Sequence, residues 1–342
     1  MTKSITIEAE RKYEVVLVDD WATELLNSAR GRRVVLLVPE KLASFVPTKL
    51  PGAELIVLPE GEAQKSISTF AEVLEKLADL KVTRIDLIVG IGGGATTDLA
   101  GFVAATYLRG IEWIAVPTSV VGALDASIGG KTGINLDHGK NLAGAFHSPS
   151  RVIVDFAWLS TLDDRDIRAG LVEAVKCGFI ADPTILDLMR DYQANIEAII
   201  ERSIQVKASI VGKDFRESNI REFLNYGHTL GHAIEKHSGY SLRHGEAIAI
   251  GLVYVANLAL ELGYISEDIA LLHREMLHHL GMNLGYTSGR WDEIFELMSH
   301  DKKRKSNSIA LILLKGLAKP ERVEAIPNEI MKSVYMNSIA KG

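Results

Sequence analysis

The chain is poor in the features that mark secreted, membrane-spanning or nucleic-acid-binding proteins. Its 342 residues include one cysteine, Cys177. No internal disulfide can form, and a lone thiol suits a reducing cytosol. The opening stretch, MTKSITIEAERKYEVV, lacks the apolar core of a secretory signal, so a cytoplasmic location is expected. The most apolar long run, 247–260, is interrupted by Asn257 and bounded by Glu246 and Glu261. That is too short to span a bilayer comfortably, and no membrane partner is expected. A net charge of −6 argues against nucleic acid as a partner. Low-complexity tracts and internal repeats are missing as well.

What is present suits a globular chain with a large core: 47% hydrophobic and 24% charged residues. The length sets a prior of two domains. Up to about residue 158 short apolar runs alternate with helical patterns. Strands are predicted at 13–18, 33–38, 54–58, 85–91 and 111–116, and helices at 21–29 and 68–80. That order implies βαβ units and a mostly parallel sheet. Beyond residue 158 helices dominate, at 171–179, 184–192, 196–214, 221–237, 245–263 and 267–280, with strands only at 309–314 and 322–326. The change sets a boundary near 155–160.

Three stretches carry candidate chemistry. Gly90-Ile91-Gly92-Gly93-Gly94-Ala95-Thr96-Thr97-Asp98 joins a strand to a helix, where close backbone approach and free amides suit a pyrophosphate. It is not the G-x-G-x-x-G fingerprint, and a plain tight turn remains the alternative. Residues 117–147 follow as a long loop region rich in glycine and lysine, of the kind that is usually functional. Within it Gly129-Gly130-Lys131-Thr132 imitates the end of a P-loop, but Asp125 stands where that motif begins with glycine. The third stretch, 221–251, holds four of the ten histidines. His228 and His232 share a helix face at i, i+4, and His244 opens the next apolar run. Such histidines can bind a metal such as zinc or serve as ordinary helix residues. Thr229 occupies the position where a His-Glu-x-x-His protease needs its base, which excludes that chemistry. Taken alone, Glu173 and Lys176 read as a surface ion pair at i, i+3.

Together these motifs resemble 3-dehydroquinate synthase over nearly the whole chain. The resemblance rests on Gly92-Gly93-Gly94-x-x-x-Asp98-x-x-Gly101-Phe102, on Asp125-Ala126-Ser127-x-Gly129-Gly130-Lys131-Thr132-Gly133-x-Asn135, on Gly139-Lys140-Asn141 and on Gly144-Ala145-Phe146. It continues through Glu173-x-x-Lys176-x-Gly178, Leu224-Asn225-x-Gly227-His228-Thr229-x-Gly231-His232-Ala233-Ile234-Glu235 and His244-Gly245-Glu246-Ala247. The family implies an α/β N-terminal Rossmann-like domain over 1–158 that binds NAD. It implies a mostly α-helical C-terminal domain over 159–342 that binds metal and substrate, with the active site in the cleft between them.

The implied reaction converts 3-deoxy-D-arabino-heptulosonate 7-phosphate (DAHP) to 3-dehydroquinate and phosphate, using NAD+ that is regenerated in each turnover and Zn2+, with Co2+ an acceptable substitute. By position the metal ligands are Glu173, His228 and His244, which makes His232 a substrate-side residue. NAD contacts fall on Glu60, Gly61, Glu62, Lys65, Gly93, Gly94, Ala95, Thr96, Thr97, Asp98, Thr118, Ser119, Lys131, Lys140 and the segment Trp158, Leu159, Ser160, Thr161. Substrate contacts fall on Asp125, Lys131, Lys176, Lys207, Arg221, Asn225, His232 and one of Lys302 and Lys303. Arg109 matches an arginine that reaches the phosphate across a homodimer interface. The chain departs from the family at Val38-Pro39-Glu40-Lys41-Leu42, where Glu40 replaces the usual Asp at the adenosine ribose, and at Asp214-Phe215-Arg216-Glu217, given a structural role only. Other sugar-phosphate cyclases and glycerol-dehydrogenase-type oxidoreductases are the alternatives. The late lysines favour DAHP, because its carboxylate needs a cation.

Overall fold

A computed structural model describes residues 2–46, 50, 52–287, 289–300 and 309–340. The first half runs β1 (Lys3–Glu8), β2 (Lys12–Val18), α1 (Trp21–Ala29), β3 (Val34–Pro39), β4 (Glu54–Leu58), α2 (Ile67–Asp79), β5 (Leu87–Gly92), α3 (Gly94–Thr106), β6 (Trp113–Pro117), β7 (Lys131–Leu136), β8 (Gly139–Phe146) and β9 (Arg151–Asp155). The second half runs α4 (Asp164–Ile180), α5 (Thr184–Met189), α6 (Tyr192–Lys213), α7 (His228–His237), α8 (His244–Glu261), α9 (Glu267–His279), α10 (Trp291–His300), β10 (Leu311–Leu314), β11 (Pro320–Val323) and α11 (Asn328–Ser338). Contacts divide the chain into two units. One is Met1–Asp163 with Lys207–Arg216, and the other is Asp164–Val206 with Glu217–Gly342. The last residues of α6 and the segment after it therefore belong to the first unit.

The first unit is built on a seven-stranded sheet of order β1-β2-β9-β6-β5-β3-β4, parallel except for the β1–β2 pair. β3, β5 and β6 are buried along their whole length. Such strands read as continuous Val, Ile and Leu runs, because both faces of a parallel sheet are covered. Chain order reverses between β3 and β5, and the carboxyl ends of those strands are where such sheets bind ligands. The glycine turn lies at that end of β5. Four strands were not expected. β1 is a mostly exposed edge strand, β9 is a five-residue, mostly buried strand just beyond what read as loop, and β7 and β8 lie within it. The stretch read as a long loop contains the antiparallel β7–β8 hairpin. Its glycines and lysines hide the alternation by which strands are read.

The second unit packs helices around α8, of which thirteen residues are buried. α4 is buried without a break from Ala169 to Ile180, charged residues included. The surface ion pair expected from Glu173 and Lys176 is therefore a core pair, at 0% and 2% exposure. The helix expected over 221–237 is divided. A short 3-10 turn covers Ile220–Asn225, and Gly227 takes φ +78° before α7 starts at His228. A Cβ at Gly227 would stand 2.9 Å from Leu252 N as well as in left-handed backbone, so glycine is required there. α10 and α11 were not expected. No helix among the described residues is long and apolar enough to cross a membrane.

Candidate active site

Three helices of the second unit bring Glu173, His228 and His244 together. Glu173 lies mid-way along α4, His228 is the first residue of α7, and His244 is the first residue of α8. Close packing fixes that meeting. A Cβ on Gly245 would lie 1.8 Å from Ala169 O, so only glycine lets the start of α8 lie against α4. Glu246 then accepts from Arg243 N at 3.0 Å and from Nε and Nη2 of Arg165 at 2.6 and 2.9 Å, which locks the first turn of α8.

The carboxylate of Glu173 divides its two oxygens. Oε2 accepts from Lys176 Nζ. Oε1 faces His228 Nε2 at 3.4 Å and His244 Nε2 at 3.3 Å, and is buried without a hydrogen-bond partner. Ligand atoms held 2.0–2.1 Å from a tetrahedral ion stand about 3.3 Å from one another. Two imidazole nitrogens, each at about that spacing from an orphaned carboxylate oxygen, fit a zinc- or cobalt-type ion. His228 Nδ1 donates to Tyr226 O at 3.0 Å, which leaves Nε2 as the lone-pair nitrogen. Tyr226 is anchored in turn by its buried hydroxyl, which donates to His273 Nε2 at 2.9 Å. Burial lowers His273 to a pKa of about 3, keeping it a neutral acceptor.

The charges are those of a cluster in which a metal would displace the proton that His244 otherwise carries. Burial alone would raise the Glu173 carboxyl, but Lys176, His228 and His244 outweigh it and hold it well below the usual carboxylate range. Burial, aided by Lys176, keeps His228 well below the usual histidine range. Burial also opposes protonation of His244, but the carboxylates of Glu173 and Glu235 prevail and lift it to about 10.

Around this triad the second unit places Lys176 and Arg221, both buried, and Asn225, whose amide donates to Glu217 Oε1 at 3.0 Å. His232 is exposed, with its ring 5.2 Å from that of His228 and 5.9 Å from that of His244. Lys302 and Lys303 lie outside the described residues. Sequence reasoning gave Glu217, which holds Asn225, a structural role only and assigned none to Glu235, whose Oε2 stands 3.3 Å from His244 Nδ1. Glu235 had a signal: with His228 and His232 it forms an i, i+4, i+7 stripe on one helix face.

The first unit holds the remaining candidates. Gly93 caps α3 without a side-chain hydrogen bond, and the Thr96 hydroxyl is buried without a partner. Lys65, 3% exposed, reaches Asp98 Oδ2 at 2.7 Å and also donates to Asn141 Oδ1. Burial raises Asp98 to about 6 against the opposing pull of Lys65. Glu62 accepts from Asn135 Nδ2 at 2.8 Å, tying the turn after β4 to the hairpin. Glu60 accepts from Lys41 N at 2.6 Å, and Gly61 takes φ +60°. Thr118 N donates to Gly92 O at 2.9 Å, and Ser119 Oγ accepts from Gly122 N at 3.1 Å.

A depression of about 430 Å³ is lined by Asp98, Lys131, Asn141, Phe146 and the strand residues between them. Lys207 donates to both the carbonyl and the carboxylate of Asp125. Lys140 is half-buried on β8. Trp158 is buried against Trp21 with ring centroids 5.4 Å apart. Leu159 is half-buried beside it, whereas Ser160 and Thr161 turn their hydroxyls back to Ala157 O and Trp158 O. Ala95 and Thr97 sit in the first turn of α3, the Thr97 hydroxyl donating to Gly94 O at 3.0 Å. Arg109 is not on α3. It lies beyond the helix end, exposed, in a left-handed turn with Leu108 (φ 49°) and Arg109 (φ 65°).

The N-terminal model of 3-dehydroquinate synthase matches residues 55–169, and the C-terminal model matches 170–304. The chain is 44% identical to 3-dehydroquinate synthase of Streptomyces avermitilis over 340 residues, covering 94% of each chain.

The chain belongs to the 3-dehydroquinate synthase family.

A second member of the family, 3-dehydroquinate synthase of Corynebacterium jeikeium, is 39% identical, covering 98% of this chain and 96% of that one. Among solved structures, 2-deoxy-scyllo-inosose synthase complexed with carbaglucose-6-phosphate, NAD+ and Co2+ aligns with a TM-score of 0.88 at 26% identity, covering 98% and 100% of the two chains. The 2-epi-5-epi-valiolone synthase of Streptomyces hygroscopicus subsp. jinggangensis, with NAD+ and Zn2+ bound, shares the fold at a TM-score of 0.89 and 23% identity, covering 97% and 98%. A probable glycerol dehydrogenase of Sinorhizobium meliloti shares it at 0.68 and 17%, covering 94% of each chain. The synthase fold is thus common to cyclases and simple dehydrogenases, and identity along the whole chain separates this protein from the latter.

Proposed function

We propose that this protein is a cytoplasmic enzyme that converts DAHP to 3-dehydroquinate and phosphate, a phosphate-eliminating lyase reaction of aromatic amino-acid biosynthesis. The observation that carries the reading is the helix-borne set Glu173, His228 and His244 with its orphaned carboxylate oxygen, in a chain whose two halves both match the family. NAD+, held by the first unit, would supply a transient oxidation at C5 and its reversal, and a divalent ion held by Glu173, His228 and His244 would supply Lewis-acid charge there.

Every other task falls to the chain's own residues. The amides at the start of α3 receive the pyrophosphate, with Lys65, Asp98 and the turn at Glu60–Glu62 fixing the remainder of the dinucleotide. Thr118, Ser119, Lys140 and the Trp158–Thr161 segment close round it. Lys131, Lys176, Lys207 and Arg221 supply cations for carboxylate and phosphate. Asp125 orients Lys207, and Asn225 and His232 hydrogen-bond substrate hydroxyls. The C6 proton can leave with the departing phosphate, so no strong dedicated base is needed. The first unit thus serves as the NAD-binding domain and the second as the metal-binding domain.

The reading extends to a homodimer in which Arg109 serves the neighbouring site. The left-handed turn carries this arginine off the end of α3, the helix whose other end begins at the glycine turn. Mixed dimers of Arg109→Ala and Lys131→Ala then contain one intact site and regain activity, whereas dimers shown to mix without recovery contradict the extension. The decisive experiment is phosphate release from DAHP by purified protein, with bound NAD and metal measured in the same sample. Release without net NADH supports the reading, and NADH rising in proportion to product replaces it with a simple dehydrogenase.

A further inference from the structure

Glu235 is a buried carboxylate, 4% exposed, that the reaction itself does not use. Its backbone has a separate task. The Glu235 carbonyl accepts from Tyr240 N at 2.8 Å and from Ser238 Oγ at 2.9 Å, which closes the turn between α7 and α8. The carboxylate is not needed for that turn. Its Oε2 instead stands 3.3 Å from His244 Nδ1, while His244 Nε2, the ring's other nitrogen, faces Glu173 Oε1 at 3.3 Å.

Two donor sets share His244: Glu173–His228–His244 and His232–Glu235–His244. In the second, Glu235 would itself be a ligand. Three features favour the first. Glu173 Oε1 is buried without a partner, whereas Glu235 Oε2 is already hydrogen-bonded to His244. His228 is fixed at Nδ1 by a backbone carbonyl, so its free nitrogen faces Glu173. His232, by contrast, is exposed.

We propose that Glu235 is a positioning residue: it accepts the Nδ1 proton of His244, sets the tautomer and plane of that ring, and so presents Nε2 to the ion held by Glu173 and His228. The two histidine ligands are thereby held differently, His228 by a neutral carbonyl and His244 by a carboxylate that strengthens it as a donor. The inference rests on the metal reading above.

The test measures zinc affinity of the full-length protein by chelator competition, together with the visible absorption of the cobalt-loaded form. Glu235→Ala weakens zinc binding by about 10–100-fold, leaves the stoichiometry unchanged and shifts the cobalt spectrum. Glu235→Gln keeps an acceptor oxygen but loses the charge, so it binds a few-fold more weakly than wild type and recovers most of the spectrum. His232→Ala keeps wild-type affinity, and His228→Ala loses the ion. Wild-type affinity and spectrum in Glu235→Ala, with loss in His228→Ala, overturn the positioning role alone. Loss in both Glu235→Ala and His232→Ala, with retention in His228→Ala, moves the ion to the other set and overturns the metal reading as well. Should the alanine variant not fold, an unchanged zinc affinity in Glu235→Gln overturns the role of the charge.

Discussion

The proposed metal triad and the proposed dinucleotide site at the glycine turn are built by different means. The triad sits on α4, α7 and α8, and its geometry is set by backbone packing with no slack, down to a would-be Cβ of Gly245 that has no room beside Ala169 O. The glycine-turn region hangs on a strand end, a 3-10 turn and a hairpin; glycines pack it closely too, a Cβ at Gly92 standing 2.3 Å from Thr96 Oγ1 and one at Gly144 2.2 Å from Thr132 O, but polar side chains tie its parts together. Lys65, Asp98, Asn141, Glu62 and Asn135 form one connected network there. Rigid helices suit an ion that tolerates little displacement, and hydrogen-bonded loops suit a long dinucleotide that must be contacted along its length.

The comparison breaks most severely at the ligands. His244→Ala should lose nearly all bound zinc, whereas His232→Ala, one turn along α7 from His228, should retain zinc and lose turnover. Metal analysis of both purified proteins checks this, and a zinc-free His232→Ala protein would reverse the assignment.

Packing comes next. Gly245→Val forces α8 away from α4 and should cost about 3 kcal/mol of stability, with zinc affinity falling as well. Denaturant melts beside chelator competition measure both. A variant as stable as wild type would show that the helices have slack after all.

The smallest effect is expected in the polar network. Lys65→Met removes the cation that opposes the burial-driven rise of Asp98, so Asp98 should titrate above its present value of about 6. A carboxyl whose folded pKa is raised holds its proton longer in the folded protein than in the unfolded chain. Its contribution to stability therefore falls as pH rises through the interval from its ordinary 3.8 to about 6. Without Lys65 that interval extends upward, and the variant's deficit relative to wild type should grow from low pH to neutrality, by about 1.4 kcal/mol for each unit the interval gains. Urea melts at several pH values test the sign. A deficit that shrinks with rising pH would mean that Lys65 does not compensate Asp98.

Much of this was legible in the chain. Continuous apolar runs announced β3, β5 and β6, because a strand covered on both faces has no polar side to alternate with. The glycine turn and the i, i+4 histidines were visible as spacing. The family resemblance supplied the choice of His244 over His232, which spacing alone would have made the other way. The β7–β8 hairpin was not legible, since its glycines and lysines carry no period.

Glu173 shows the limit most clearly. By sequence alone it is one half of an i, i+3 ion pair, a pattern that usually lies in solvent, yet twelve consecutive residues of α4 around it are buried. Local sequence determined which residues form helices and which donors they offer. Only the tertiary structure decided that Glu173 gives one oxygen to Lys176 and turns the other, unpartnered, toward two histidines from helices far along the chain. Spacing along one helix fixes neighbours on one face. The meeting of three helices depends on how closely their backbones can approach, and at Gly245 that is set by a contact with Ala169, seventy-six positions away in sequence.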